Sequence, residues 1–237
     1  MNASNARDSS VKVYVGTDPR MHKAEIALEY SIYKHSTVPV DIVWMDFARG
    51  GLWADWNIGR EHGHPYAGQG WATDFSCFRF AIPEANHFEG RAIYLDVDMI
   101  LVGDIKELFD LPMPSAVLIP SKGFDVMLYD CAAFKDRLWW PSIEEMKKSG
   151  ARISDYGKLL NDRGMLAELS AAWNCCDGDG YEPATTRLVH YTNMRTQPWK
   201  PYPDVFDYPP HPRPDMVALW QKYYDEGIEY FATNRKP

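Results

Sequence analysis

Two apolar runs flank one helical stretch at the start of the chain, and that order restricts the fold more than any other feature. Residues 11–15 alternate and are rich in Val, which fits a strand. Residues 21–34 carry helical spacing, with Ile26, Leu28, Tyr30, Ile32 and Tyr33 available to face a sheet. Residues 40–44 read as a second, buried strand. Strand, helix, strand is a βαβ unit, so the two strands are expected to run parallel. The expected class is α/β, a central sheet flanked by helices, with ligands at the carboxyl ends of its strands.

The rest of the chain continues in kind. Residues 49–70 are rich in Gly, Trp and His without a sustained period, which marks a functional or mobile loop. Residues 73–84 return to helical spacing, with Phe75, Phe78, Ala81 and Ile82 on one side. Strands are expected over 91–95, 116–119, 126–129 and 187–191, and a short capped helix over 104–111. Residues 135–148 and 154–170 read as helices, the first interrupted at Pro141. Seven prolines within 198–214 exclude a regular helix or central strand, so this segment is expected to wrap the surface in extended form. Residues 215–231 close the chain as an amphipathic helix whose Trp220, Tyr223 and Tyr224 serve as core or as a subunit contact. The expected organisation is a disordered polar leader over 1–10 and one domain over 11–237, a length that sustains a single large core.

Charge and cysteine usage narrow the function classes. A formal net charge of −8 argues against a nucleic-acid partner. No apolar run is long enough to span a bilayer, which leaves peripheral association as the membrane contact the sequence allows. Four cysteines without a Cys-x-x-Cys pair point to a reduced, cytoplasmic protein.

The chemistry is carried by Tyr94-Leu95-Asp96-Val97-Asp98, an apolar run that ends in two carboxylates one residue apart. Hard cations take carboxylate oxygens, and Mg²⁺ or Mn²⁺ at such a strand end keeps positions open for substrate phosphates. Taken alone, the segment fits equally a strand that ends in solvated acids.

Three separated pieces carry a wider resemblance: Gly16-Thr17-Asp18 after the first strand, the run from Tyr94 to Leu108 with Gly103-Asp104-Ile105, and His190-Tyr191-Thr192-Asn193 followed by Gln197-Pro198-Trp199-Lys200. Their order resembles the family-8 retaining glycosyltransferases, which include glycogenin and the lipopolysaccharide galactosyltransferases. The resemblance implies a GT-A (Rossmann-like) fold with a mixed central sheet. It implies transfer of a sugar from a nucleotide-sugar donor, with UDP the expected nucleotide, to a hydroxyl of a glycan or other acceptor. By the same resemblance Asp96, Asp98 and His190 would ligate Mn²⁺ (or Mg²⁺). Gly16, Thr17, Asp18, Arg79, Asp96 and Val97 would border the donor, and Asp125 and Asp155 would be the catalytic-side carboxylates, with Asp162 competing with Asp155. The sequence departs from the pattern at Gln197, where the family has Lys, which leaves Arg195 or Lys200 to supply positive charge; Gln197 and Lys200 remain donor-side candidates.

Two other functions fit the same pair of acids. A haloacid-dehalogenase-type phosphatase would use Asp96 as nucleophile and Asp98 as general acid/base, although there the pair sits on the first strand. A non-catalytic protein of similar fold would bind a glycan or nucleotide.

Overall fold

The computed structural model describes residues 10–59, 73–121 and 123–234. Its α-helices are α1 (His22–His35), α2 (Ile82–Ala85), α3 (Ile105–Phe109), α4 (Ile143–Ser149), α5 (Ile153–Asn161) and α6 (Pro214–Asn234). The βαβ unit forms as its residues require. β1 (Val11–Gly16) and β2 (Val40–Met45) lie parallel in register from Val11 with Val40 to Gly16 with Met45. β3 (Arg91–Asp96) joins β1 in parallel on its other side and matches Asp96 with Gly16. Gly16, Met45 and Asp96 therefore end side by side, at the edge where an α/β sheet presents its ligands.

After Asp96 the chain leaves this sheet, and β4 (Met99–Leu101) founds a second one. β5 (Val117–Pro120), β6 (Val126–Asp130) and β7 (Leu166–Leu169) complete the first sheet in the order β2-β1-β3-β6-β5-β7. β6 is antiparallel to β3 and β5, while β7 is parallel to β5, so the sheet is mixed. The second sheet has the order β4-β9-β8, built with β8 (Cys175–Cys176) and β9 (Leu188–His190). Val13, Val15, Ile93, Leu95 and Leu128 are fully buried, which is why these strands read as near-continuous apolar runs.

α1 fastens the two sheets. Ala24, Ala27, Leu28 and Ile32 form its buried face, and the Ser31 hydroxyl accepts the Leu101 N–H of β4 at 3.0 Å. Tyr30 and Tyr33 do not face the sheet, contrary to the helical reading. They meet α6, with Tyr30 5.6 Å from the Tyr230 ring and Tyr33 6.3 Å from that of Phe231. Gly227 of α6 is the close approach, since a Cβ there would lie 3.0 Å from Ile26.

Four expectations change. β2 is a half-buried edge strand rather than a buried one. Residues 73–84 are mostly turns and a 3₁₀ segment, and only four residues become α2, because Pro83 opens a helix and cannot sit inside one. Of 135–148, only the part after Pro141 is helical, where Ser142 and Glu145 form a capping box that starts α4. Of 154–170, α5 ends at Asn161, Gly164 takes a left-handed φ of 63°, and Leu166–Leu169 pairs with β5. The proline-rich segment has no regular element before α6 and is tied to the domain by side chains: among them, Tyr202 Oη donates to Asp18 at 3.1 Å, and His211 Nε2 lies 2.7 Å from Asp177. The proposed leader falls almost wholly outside the described residues, as do residues 60–72 of the Gly/Trp/His-rich loop.

Gly16 has no room for a side chain. A Cβ would come within 2.7 Å of Tyr94 Oη and 2.8 Å of a Phe75 ring carbon. Gly16→Ala is expected to cost about 1–3 kcal/mol through overpacking, read by urea denaturation; an unchanged midpoint would show that this contact relaxes freely.

Candidate metal centre and active site

The end of β3 holds a buried charge cluster. Arg79, only 2% exposed, donates from Nη2 to Asp96 Oδ1 at 3.0 Å and from Nη1 to the Phe124 carbonyl at 2.7 Å. Its Nη1 also faces Asp125 Oδ1 at 3.3 Å, and its Nε donates to the Ser76 carbonyl at 2.9 Å. The guanidinium lies over the Tyr94 ring, 4.8 Å from the centroid, and the Tyr94 hydroxyl donates to Asp96 Oδ1. Burial pushes the Asp96 carboxyl up to about 7, with Arg79 opposing and Asp125 and Asp98 adding. One guanidinium thus faces two carboxylates, and the site keeps an excess of negative charge.

Asp98 and His190 complete the cluster from the second sheet. Asp98 precedes β4, His190 ends β9, and the Tyr191 N–H bonds the Asp98 carbonyl at 2.9 Å. His190 Nδ1 donates to Asn174 Oδ1 at 2.8 Å, which turns Nε2 toward Asp98 Oδ1 at 3.3 Å. Burial alone would lower the His190 pKa; the Asp98 carboxylate beside it, with Asp125 and Asp96 behind, pushes it up to about 9. Asp98 Oδ2 accepts from Gln197 Nε2 at 2.9 Å. Asp98 Oδ1 is buried and has no hydrogen-bond partner among the described residues.

This arrangement fits a divalent cation. One ligand atom from each of Asp96, Asp98 and His190 lies within 4.8 Å of the others. An orphaned carboxylate oxygen, a second carboxylate and an imidazole held by its far nitrogen make a donor set that suits Mn²⁺ somewhat better than Mg²⁺.

A cavity of about 200 Å³ opens on the cluster. Asp96, Asp98, Asp125, His190 and Arg79 line it, together with Thr73, Phe75, Ser76, Ile153, Thr192 and Met194. A larger cavity, about 480 Å³, lies by α2 and the start of α4 and holds none of the candidate residues. Val97 is buried and continues the β1 pairing, its N–H on the Gly16 carbonyl at 3.2 Å. Thr17 is buried and donates to Glu25 at 2.8 Å, which Arg49 also holds. Asp18 is fully buried and accepts from the Arg20 N–H and Tyr202 Oη, and burial pushes its carboxyl up to about 6. Gln197 is buried under the site, bonded to Asp98 and to the Tyr191 carbonyl.

Of the candidates, Gly16, Thr17, Asp18, Val97 and Gln197 are buried and outside the cavity lining, and Asp155 and Lys200 are exposed and outside it as well. Asp155 is exposed at the start of α5, where its carboxylate accepts the Arg152 N–H at 2.8 Å. A helix N-terminus claims it, as it claims most first-turn acids. Lys200 is exposed at the surface with φ 49°, outside the cavity lining, and Arg195 pairs with Asp207 at 3.0 Å. Trp53 and Trp56 pack on Phe78, with ring centroids 5.3 and 5.1 Å away, rather than standing open for sugar rings. His62 and His64 lie outside the described residues. Asp177 is held by Thr192 and His211. Sequence reasoning missed Tyr94 and Asn174 as site residues; Tyr94 looked like strand filler, and nothing local marks Asn174.

The fold is that of GT-A glycosyltransferases. The glycosyltransferase GlyE of Streptococcus pneumoniae TIGR4 matches with a TM-score of 0.61 at 14% identity, over 95% of this chain and 64% of its own. An active-site mutant of LgtC matches with a TM-score of 0.61 at 11% identity, over 91% of this chain and 96% of its own. The galactosyltransferase LgtC in complex with donor and acceptor sugar analogs gives 0.58 at 10% identity. The chain spans less than two thirds of GlyE and 52% of the bifunctional glycosyltransferase WbbM. In sequence it is 29% identical to Protein CDI of Arabidopsis thaliana over 229 residues, 84% of this chain and 83% of that one. No protein-family model matches it.

Two variants test the electrostatics. Arg79→Met leaves Asp96 buried without its cation and is expected to cost about 3–5 kcal/mol at pH 7, measured by denaturation. Asp18 has a folded pKa above its unfolded value, so its stabilising contribution is complete below about pH 4 and is lost as pH rises through about 6. Asp18→Asn is therefore expected to exceed the wild type in stability at pH 7 by on the order of 1–3 kcal/mol, a gap that closes on acidification to pH 4. A pH-independent gap would show that Asp18 ionises without cost.

Proposed function

We propose that this protein is a metal-dependent glycosyltransferase that moves a sugar from a nucleoside diphosphate donor, UDP-linked, to a hydroxyl acceptor with retention of configuration. One observation carries the reading: Asp96, Asp98 and His190 converge at the carboxyl edge of a GT-A sheet, where one buried Asp98 oxygen faces His190 and has no hydrogen-bond partner among the described residues. A divalent cation bound there would act as a Lewis acid on the departing diphosphate.

The chain's own residues supply the rest. Arg79 fixes Asp96 and one side of Asp125, so both carboxylates keep their places without the cation. Asp125 lines the cavity, its side chain 31% exposed, and its other oxygen is free to meet a sugar hydroxyl or the reacting carbon's face. Phe75, Ile153 and Met194 give the same cavity an apolar wall that limits water around the bond being broken. Thr17 and Asp18 follow β1 at the edge where an α/β sheet takes its ligands, but both side chains are buried and outside the cavity lining, so neither is assigned a donor contact. LgtC is described with donor and acceptor sugar analogs, and the shared fold supports a similar pair of ligands here. The four cysteines are free thiols, which supports work in a reducing compartment such as the cytoplasm.

The phosphatase reading loses its support. Asp96 Oδ1 is occupied by Arg79 and Tyr94, which is poor preparation for a nucleophile, and Asp96 lies on the third strand rather than the first.

Metal-free protein is expected to be stabilised by MnCl₂ plus UDP by about 2–3 kcal/mol at a hundredfold excess over Kd, and chelation by EDTA should erase the shift. Asp98→Ala is expected to lose on the order of 100-fold or more in metal affinity, together with metal-dependent hydrolysis of the donor, while its circular dichroism stays native. A variant that kept the full metal-dependent rate would sink the site. Stabilisation by no nucleotide, with turnover of a phosphomonoester instead, would sink the transferase.

A further inference from the structure

We infer that Gln197 is a positioning residue for the metal centre: it holds one oxygen of Asp98 so that only the other is presented to a cation. The inference rests on the metal site of the proposed function and adds a residue to it.

Both amide protons of Gln197 are committed. Nε2 donates to Asp98 Oδ2 at 2.9 Å and to the Tyr191 carbonyl at 2.8 Å. Tyr191 follows His190 at the end of β9, so the amide ties the Asp98 carboxylate to the strand end that carries the imidazole ligand. The two oxygens of Asp98 consequently differ. Oδ2 already accepts from Gln197, while Oδ1 is buried, lacks a hydrogen-bond partner among the described residues and lies 3.3 Å from His190 Nε2. A carboxylate held in this way binds an ion through one oxygen and keeps its plane fixed before the ion arrives.

Charge explains why an amide suits the position. A Lys or Arg there would hold Asp98 as firmly, but its cation would neutralise the carboxylate and oppose a divalent ion a few ångströms away. Gln is the uncharged donor that orients the ligand and leaves its charge available. The side chain is 1% exposed, so a surface role is excluded, and its remaining Oε1 has no hydrogen-bond partner among the described residues. A residue kept only for packing would not require an amide with one buried, unpaired oxygen.

The test uses the full chain, stripped of metal and titrated with MnCl₂ by calorimetry. Gln197→Met keeps the length and loses the donors; it is expected to weaken Mn²⁺ binding about 10–100-fold, with the metal-free thermal midpoint within a few degrees of wild type. Gln197→Lys is expected to lose more than Gln197→Met, because charge competition adds to the change. Either variant binding Mn²⁺ as tightly as wild type would overturn the role of Gln197 alone. Wild-type protein that binds neither Mn²⁺ nor Mg²⁺ would overturn the metal site and this inference together. If the variants fail to fold, a crystal structure of the wild type with Mn²⁺ decides. The ion on Asp98 Oδ1 with Gln197 Nε2 still bonded to Oδ2 supports the inference, and a bidentate Asp98 with Gln197 turned away overturns it.

Discussion

A guanidinium buried at the junction of β3 and β6 sets the conditions for everything around it. Arg79 reaches two carbonyls, two carboxylates and the face of an aromatic ring, which uses the fork geometry that Lys lacks. A buried ion pair of this kind is weak evidence of stability, because desolvation offsets much of the Coulomb gain. Its value here is positional. Without Arg79, Asp96 and Asp125 would repel each other across the β3–β6 pair, and the Asp96 N–H to Asp125 carbonyl bond at 3.1 Å that continues this ladder would carry that strain. With Arg79 in place the two acids coexist, but they outnumber the cation. Asp98 adds a third carboxylate, and the His190 imidazole, pushed up to about 9 beside it, offsets part of the excess; a divalent ion bound there would displace that proton and take over its role.

Local features of the fold were legible, and partner-dependent ones were not. The Val-rich run at 11–15 and the apolar run at 92–95 declare strands because both faces are buried. Asp96 and Asp98 stand out because they end such a run, and His190 because it ends another. Residues 166–169 carried no such signal. Leu166 and Leu169 satisfy a helical period as well as a strand, and pairing with β5, nearly fifty residues earlier in the chain, decides between them. The tryptophans at 53 and 56 fall in a segment whose composition marks a loop, yet they are core, because Phe78 offers them apolar area. Asp155 was selected by its match to the acceptor-side carboxylate that the family resemblance implies. A free helix end three residues away outbids a site it cannot reach.

Gln197 shows a different limit. At the level of sequence it is a missing positive charge. In the fold its direction is set by the second sheet, whose short strands have too little sequence to announce themselves: β8 is two residues long and β4 three. The same shortness hides Asn174, which precedes β8 and orients His190 from behind. Residues that hold other residues are legible only once the held partner has a place.

The ligands come from different bodies. Asp96 belongs to the six-stranded sheet, whereas Asp98 and His190 are carried by the three-stranded one. Tyr191, next to His190, donates its hydroxyl to the Met216 carbonyl at 2.7 Å and so joins that small sheet to α6. A cation held by all three side chains would therefore bridge the two sheets, one of which is tied to α6. Whatever tightens α6 against α1 narrows the range of spacings the ligands sample. By reciprocity, an ion that selected one spacing would stiffen α6, which none of the three side chains touches directly.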